Sequence, residues 1–589
     1  MSLTEHPGAN AKMPVENAEV ARLFRRAAYL LELKGGNPFR IRAYQGAART
    51  VEELSRPVEE LIARGDGKRL TELPGIGADL AGKIEEIVDT GTFSTLAQLE
   101  RKVPKGLTQL IQVRGLGPKR ARALYDRLGI HTLVQLERAC RSGKIAKLRG
   151  FGATTQANIL RELAAHRTSE TRMLRPVAAQ YGETLLQYLR AMEGVRRAEI
   201  AGSYRRRKDT VGDLDILVTC REARPTVRRF VTYPEVSEIL AEGPTRASVR
   251  LRSGLQVDLR VVAEQCYGAG LYYFTGSKAH NIAVRRLGQR QGLRINEYGV
   301  WRGKRRIAGR TEEEVFAAVG LPWIPPELRE ERGEIEAALQ GTLPRLVEVS
   351  DIRGDLQSHT TDSDGRNTLA EMTGAAAELG YEYLAVTDHT PAVRVTRGLD
   401  RAGFRRQMKR IDRLNAKSRT LSVLKGAEVD ILPDGALDLD DDTLAALDLV
   451  VISVHSAFGL SEREQTKRLL RALRHPSADI LGHPTSRLIG RREGLRFDRE
   501  QVYRAAAEHG VLLEVNGQPD RLDLDDVAAH AAIASGATLA ISTDAHAVPE
   551  LGFMRWGVDQ ARRGWATKQQ VANTRPLAAL LPLLHGSRG

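Results

Sequence analysis

Asp213 and Asp215 are the residues of this chain whose types and spacing point most directly to chemistry. In Gly212-Asp213-Leu214-Asp215-Ile216-Leu217-Val218 the apolar residues alternate as in a strand, so both carboxylates project side by side from one face. Like charges so placed are costly unless a cation neutralises them. A hard divalent ion is held by one or two carboxylates together with substrate phosphates. A third carboxylate, Asp258, stands in the alternating stretch Leu255-Gln256-Val257-Asp258-Leu259-Arg260. Three acids suit a two-metal site that stabilises the attacking and leaving oxygens of an in-line displacement. Upstream, Gly202-Ser203 ends the short run Ala198–Ala201, and Arg205-Arg206-Arg207-Lys208 supplies cations for a polyphosphate. These residues outline a nucleotidyl-transfer site with Asp213, Asp215 and Asp258 as its catalytic, metal-binding acids.

A second set of ligand types recurs in the C-terminal half. Gly354-Asp355-Leu356-Gln357-Ser358-His359 opens it, with Asp364 shortly after. Tyr383–Thr387 then precedes Asp388-His389, Leu421–Leu424 precedes Glu428, and Leu449–Val454 precedes His455. Ile480–Gly482 precedes His483, and Leu539–Thr543 precedes Asp544-Ala545-His546. Helical stretches such as Leu369–Leu379 and Arg499–His509 separate these strand-like runs, which is β/α alternation. In a parallel barrel the residues just past the strand ends converge on one mouth, so ligands far apart in sequence would meet there.

The elements that must position and feed these sites lie upstream and between. From Val15 to about Ser55, apolar residues at helical spacing alternate with Arg and Lys, and residues 1–14 read as a loose tail. Leu73-Pro74-Gly75-Ile76-Gly77 runs straight into a helical pattern, exposing backbone N–H groups at a helix N-terminus, a natural phosphate seat. The pattern returns around Gly115 and Gly117 and more loosely at Gly150–Gly152. The net charge of +15 over 589 residues favours an anionic partner, nucleic acid first. Cys140, Cys220 and Cys266 follow no metal spacing and suit a reducing cytosol. No apolar run reaches the roughly 18 residues of a membrane span and Met1–Pro14 lacks a signal-peptide core, so a soluble, cytoplasmic protein is expected.

Gly-Ser-x-Arg-Arg followed by Gly-Asp-x-Asp resembles the signature of the family X DNA polymerases. Tyr272-Tyr273-Phe274-Thr275-Gly276-Ser277 is similar to that family's deoxynucleotide pocket, and Gly292–Gly299 to its thumb segment. The resemblance implies that Ser203, Arg206 and Gly212 bind the triphosphate, that Tyr273, Phe274 and Gly276 border the sugar, and that Tyr273 stands against a ribose 2′-hydroxyl. Asn281 would lie near the base edge and Arg285 near the template. The glycine repeats look like helix-hairpin-helix units, so Gly75, Gly77, Gly115 and Gly117 would touch DNA backbone, and Lys83 falls on the family's Schiff-base lysine. Asp79 stands where the family often has a further lysine, which weakens phosphate binding and weighs against lyase activity.

Residues from about 353 onward are similar to the PHP domain, a (β/α)7 barrel with up to three metals. Carried over, one ion sits among His359, Glu428 and Asp544, a second among Glu428, His455 and His483, and a third among Asp364, His389 and His546. The family begins with His-x-His, whereas this chain has Gln357-Ser358-His359, and a neutral amide is the poorer ligand.

The expected fold is therefore multidomain. It has α-helical helix-hairpin-helix domains over 1–95 and 96–169, an α+β nucleotidyltransferase palm over 170–270 and a thumb over 271–332. A linker over 333–352 then leads to a PHP barrel over 353–589. The expected activity is filling of short DNA gaps in base excision repair. A PHP 3'-5' exonuclease would accompany it, with cutting at abasic sites as a further possibility. Expected cofactors are Mg²⁺ or Mn²⁺ in the palm and Mn²⁺ or Zn²⁺ in the barrel. Expected partners are gapped DNA with a 5′-phosphate and deoxynucleoside triphosphates, with the protein a monomer and no membrane involved. Two alternatives stand beside this: a template-independent nucleotidyltransferase joined to a small-molecule phosphoesterase, and a PHP barrel that is only a scaffold.

Overall fold

The computed structural model describes residues 172–392 and 396–584. Of the first 171 it describes 17–33, 36–52, 58, 62, 68–71, 73, 75–90, 92–102, 110, 116, 118–148, 151–152, 155–160 and 163. The expected tail over 1–14, Gly115, Gly117 and Gly150 lie outside the described residues. The chain divides into two compact units, Met1–Glu170 and Thr171–Gly589.

The first unit contains helices α1 (Asn17–Leu33), α2 (Pro38–Glu52), α3 (Ala78–Thr90), α4 (Ser94–Lys102), α5 (Pro118–Leu128) and α6 (Leu133–Arg141). In α1, Val20, Phe24, Ala27 and Leu31 recur at helical spacing and are buried, while Arg25 is exposed. Phe24 anchors the core, its ring 5.8 Å from Tyr44 and 5.6 Å from Phe93. Thr132 starts α6 with a capping box closed by Gln135.

The second unit begins with β1 (Met173–Leu174), α7 (Arg175–Arg190), β2 (Val195–Ile200), α8 (Gly202–Arg205), β3 (Thr210–Val211), β4 (Asp213–Cys220) and α9 (Ala223–Val231). Strands β5 (Val236–Glu242), β6 (Arg246–Leu251) and β7 (Gln256–Val261) complete a sheet of order β2-β4-β7-β6-β5. Leu214, Ile216 and Val218 of β4 are buried in a core with Leu185, Leu189, Val227 and Phe230 from α7 and α9. Because side chains alternate along a strand, this burial turns Asp213 and Asp215 to the opposite face.

Helices α10 (Tyr267–Thr275) and α11 (Lys278–Arg290) lead to an antiparallel sheet of β8 (Leu293–Asn296), β9 (Gly299–Arg302) and β10 (Arg305–Ala308), then α12 (Glu312–Ala317) and α13 (Glu334–Gln340). The stretch expected as a linker over 333–352 holds helix α13 and packs against its neighbours. Ile335, Ala338 and Leu346 are buried in one core with Phe316, Leu321, Ile324 and Leu328. The reason is local: Gly333, at φ 97, and Gly341, at φ 69, end a helix whose apolar face has a neighbouring core to enter.

Seven parallel strands follow in sequence order. They are β11 (Gly354–Asp355), β12 (Tyr383–Val386), β13 (Ser422–Asp430), β14 (Leu449–Ser453), β15 (Ile480–Leu481), β16 (Leu512–Asn516) and β17 (Leu539–Ser542). Helices α14 (Leu369–Glu378), α15 (Arg401–Asn415), α16 (Glu462–Leu473), α17 (Arg499–Glu508), α18 (Asp526–Ala534) and α19 (Met554–Arg563) are the longer helices of this module, beside shorter ones at Asp441–Ala445 and Leu577–Leu584. The last and first strands meet through a parallel bridge of Ser358 with Ala545, where His359 N–H donates to Ala545 O at 2.8 Å. That bridge nearly closes the barrel at the C-terminal ends of its strands. Among the described residues no helix is long and apolar enough to cross a membrane.

Glu312 is buried between two guanidinium groups. Arg205 grips it bidentately at 2.9 and 2.8 Å, Arg329 at 2.6 Å, and Trp323 Nε1 donates to it at 3.1 Å. Burial alone would raise its pKa, but Arg329 and Arg205 hold the carboxyl down to about 2. A depressed folded-state pKa contributes stability that is whole above the ordinary carboxylate value of 4.5 and fades as pH falls toward about 2. Glu312→Ala is expected to cost about 3–5 kcal/mol in denaturant unfolding at neutral pH, because it leaves the buried Arg329 without a carboxylate and Arg205 with Glu199 alone, and to cost less near pH 3.

Candidate active sites

The parallel register of β4 with β7 sets Asp215 opposite Asp258, with Asp213 one step away opposite Gln256. Ser248 on β6 donates to Asp258, and Gln256 Nε2 reaches its other oxygen at 3.1 Å, so this carboxylate is oriented from two sides. Burial first, then the charges of Asp213 and Asp258, push the Asp215 carboxyl up to about 7. Asp213 is raised too, by burial and by Asp258. Mutual repulsion of this kind is what a divalent cation relieves, and three carboxylates from adjacent strands fit one.

The glycine before Ser203 is a packing requirement. Gly202 sits at φ 62, and a Cβ there would lie 2.5 Å from Asp215 Oδ2. Ser203 is the second residue of the short helix α8, and the following turn, with Arg207 at φ 59, returns the chain to Gly212 and Asp213. Arg206 points between Glu330 Oε1, at 3.0 Å, and the Thr275 carbonyl. Tyr273 and Phe274 meet edge to face at 5.2 Å near the end of α10, and the Arg260 guanidinium lies 5.4 Å from the Phe274 ring. Asp215, Asp258, Arg260 and Phe274 line one crevice. Gly276 lies against Arg206, 3.2 Å from where its Cβ would stand. Asn281 is buried and spends its Nδ2 on the Tyr273 carbonyl at 2.8 Å, so its first task here is to fix that residue's backbone. Arg285 Nε donates to Asn281 O at 3.2 Å.

In the first unit Gly75, at φ 77, makes the turn before α3, and Gly75 and Gly77 are exposed. Lys83 is largely buried and its ammonium is ion-paired with Asp79, one turn earlier on the same helix. An acid at a helix N-terminus occupies the place a phosphate would take.

The barrel gathers its expected ligands at one mouth. Three groups of side chains bring ligand atoms within 4.8 Å of one another: His359, Asp364, His389 and His546; His389, Glu428 and His455; and His359, Glu428 and Asp544. Glu428 is the hub. Its Oε1 lies 3.0 Å from His483 and 3.2 Å from His455, and its Oε2 lies 3.4 Å from both His359 and His389. His389 thus stands between the second and third expected sets, while His483 reaches the centre only through Glu428. His359 Nε2 is 3.0 Å from Asp544 Oδ1, and His546 Nε2 is 3.4 Å from Asp364 Oδ2. Two residues here, His483 at φ 25 and Asp544 at φ 53, hold left-handed backbone, a cost of about 1–3 kcal/mol each that the packing sustains.

Burial opposes charge on every one of these groups, yet opposite charges prevail at several. Against burial, Glu428 and Asp430 lift His455 to about 9, and Asp364 lifts His546 to about 10. His389, where burial prevails, is lowered to about 4. Against burial, Asp364 is held well below the carboxylate range by His546 and His389, and Glu428 by His389 and His455. Mixed imidazole and carboxylate donors at this density fit transition-metal ions, whose binding displaces the imidazole protons. The buried Nδ1 of His483 has no hydrogen-bond partner among the described residues, while its Nε2 lies on Glu428.

Some participants escape a sequence reading. Glu514 and Asn516 come from β16. Glu514 accepts from the His483 N–H, and Asn516 Nδ2 reaches Asp544 Oδ2 at 3.0 Å and Glu514 at 3.2 Å. Burial and Asp544 push the Glu514 carboxyl well up. An acid inside the apolar run Val511-Leu512-Leu513-Glu514-Val515-Asn516 is the signal that marks them. Asp388 carries the loop of His359 by accepting from Thr360 N at 2.8 Å and Oγ1 at 2.6 Å, and Asp430 orients His455.

Such a pair of centres, an acidic triad on a mixed sheet and an imidazole-rich barrel mouth, defines a two-centre phosphoryl-transfer protein. Family models match in the same order: a helix-hairpin-helix domain at 15–93, a tandem helix-hairpin-helix at 107–165, DNA polymerase beta palm at 172–252, DNA polymerase beta thumb at 270–330 and PHP domain at 355–518. The chain is 38% identical over 564 residues to the DNA polymerase/3'-5' exonuclease PolX of Bacillus subtilis (strain 168), covering 95% of itself and 97% of that protein. It is 27% identical over 353 residues to DNA polymerase lambda of Arabidopsis thaliana, 54% of this chain and 63% of that one. It is 28% identical over 231 residues to a probable phosphatase of Thermoanaerobacter sp. (strain X514), 37% of this chain and 89% of that one. The chain belongs to the family X DNA polymerases that carry a PHP domain, the PolX family.

Gln357 is fully buried, with Nε2 3.5 Å from Asp544 Oδ1 and Oε1 without a partner among the described residues. Its amide stands beside the His359, Glu428 and Asp544 group without adding an imidazole. Gln357→His is expected to tighten metal binding there by about tenfold or more, read as metal retained per chain after dialysis against a chelator. Unchanged retention would show that residue 357 takes no part in that group.

Proposed function

We propose that the protein extends a DNA primer across short gaps from deoxynucleoside triphosphates, and that its barrel removes nucleotides from the same 3′ end. The observation that carries the polymerase reading is the β4–β7 register, which sets three carboxylates beside a turn of three arginines. Mg²⁺ or Mn²⁺ held there would stabilise the attacking 3′ oxygen and the leaving pyrophosphate. The chain's own residues do the rest. Asp213, Asp215 and Asp258 form the ion seat, with Asp258 oriented by Ser248 and Gln256. Ser203, Arg206 and the Gly212 backbone take the triphosphate, and the Tyr273–Phe274–Gly276 corner bounds the sugar, with Tyr273 against a 2′-hydroxyl. Arg285, one helical turn beyond Asn281, faces the template. The turn at Gly75 and Gly77 offers backbone N–H groups to DNA phosphates. Lys83, engaged by Asp79, serves that contact rather than Schiff-base chemistry.

In the barrel, Mn²⁺ or Zn²⁺ would polarise a phosphodiester and activate water. His359, Asp364, His389, Glu428, His455, His483, Asp544 and His546 hold the ions, and Asn516 and Asp388 keep the ligands aimed. Gap repair follows from joining both centres to helix-hairpin-helix units on one chain. A second reading, the barrel as scaffold alone, is favoured by the single observation that Gln357 stands where an imidazole would serve better.

The test is primer extension on a gapped duplex with Mn²⁺. Asp213→Ala/Asp215→Ala is expected to lower filling by about 10³-fold or more while primer shortening continues, and His455→Ala/His483→Ala to do the reverse. Filling that survives the first pair would refute the palm assignment. Wild-type protein that never shortens a primer, while retaining metal in the barrel, would establish the scaffold reading.

A further inference from the structure

The turn that carries Arg206 is gripped from the barrel side. Residues 206–209 link α8, with Ser203, to Gly212 and Asp213, and Arg207 holds left-handed backbone within them. Helix α19 of the barrel reaches this turn at two points. Arg563 Nη1 donates to the Arg206 carbonyl at 2.5 Å, and Asp559 binds the Arg207 guanidinium while its other oxygen holds Arg175 at 2.6 Å. A third contact comes from Arg487, 3.3 Å from Asp209. Asp559 and Arg563 are both almost wholly buried. Beneath them Trp556 packs with Ala179 and Leu522, and Arg175 lies over its ring at 4.6 Å.

Glu330 is shared in a way that bears on the nucleotide. Its Oε1 lies 3.0 Å from Arg206 Nε and 3.2 Å from Arg563 Nη1. A triphosphate seated on Arg206 must draw that guanidinium from Glu330, and a buried carboxylate left alone is costly. Arg563 remains to pair it.

We propose that Arg563 and Asp559, residues of the PHP barrel, are positioning residues for nucleotide incorporation: they hold the 206–209 turn and keep Glu330 paired when Arg206 turns to the triphosphate. The inference rests on the assignment of Arg206 to the triphosphate. It makes the barrel part of the polymerase's nucleotide affinity, separately from any nuclease it carries. Neither residue touches substrate. Both act through Arg206 and its turn.

The experiment is steady-state gap filling by the full chain over a range of deoxynucleotide concentration. Arg563→Ala is expected to raise KM for the nucleotide about tenfold while kcat changes less than about threefold and primer shortening is unaltered. Arg563→Lys restores part of the loss, because a cation again faces Glu330. Combined with Arg206→Ala, the effect of Arg563→Ala should shrink to what its hold on the residue-206 carbonyl contributes, since the Glu330 pairing then has no guanidinium to release. Should Arg563→Ala fail to fold, Asp559→Asn, which keeps the volume and loses the charge facing Arg207, carries the same expectation of a raised KM. A raised KM in Arg206→Ala with unchanged KM in the Arg563 and Asp559 variants, or fully additive effects, overturns the proposal alone. An unchanged KM in Arg206→Ala overturns the triphosphate assignment and the proposal with it.

Discussion

Carboxylates that face one another out of water must be compensated, and both centres of this protein are built on that constraint. On the mixed sheet, β4 and β7 run in parallel register, so Asp215 and Asp258 stand opposite each other with Asp213 alongside, and Asp215 is pushed up to about 7. In the barrel, Glu428 lies within 3.4 Å of four imidazoles and Asp544 accepts from His359. The two solutions differ in kind. Hard oxygen donors alone suit ions that also hold substrate phosphates, whereas nitrogen and oxygen donors together suit ions that activate water.

The same constraint shapes the region where the barrel meets the palm. Glu327 lies between Arg207 and Arg562 at 2.9 and 2.8 Å, Glu330 between Arg206 and Arg563, and Asp526 between Arg563 and Arg332. Each buried acid there has two cations, so one can leave without stranding a charge. A chain with 89 basic and 74 acidic residues thus spends part of its excess inside rather than on DNA. Net charge read from composition overstates the surface available to nucleic acid.

Much of both sites was legible in the sequence because their parts are local. Alternation in Asp213–Val218 gave the face, and the recurrence of His, Asp or Glu just beyond apolar runs gave the barrel mouth, since a strand's end is a position the period marks. Glu514 and Asn516 escaped because they lie inside a strand rather than beyond it. The segment 333–352 escaped as a packed element because its helix enters a core formed by residues elsewhere. The Gly115 and Gly117 repeat lies outside the described residues.

By itself the sequence determined which residues carry the chemistry: three acids in strand alternation, a glycine-serine turn with arginines, and a series of ligands each following a strand. Those follow from periods of two and 3.6 residues and from the needs of divalent ions. Only the tertiary structure decided which of them touch. It set Asp258 opposite Asp215, put His389 between two ligand groups, and paired Arg207 with Asp559 across 352 positions of chain. The physical reason is that ion pairing and ligand grouping depend on distances of a few ångströms in space, and separation along the chain carries no measure of those distances until the strands are in register.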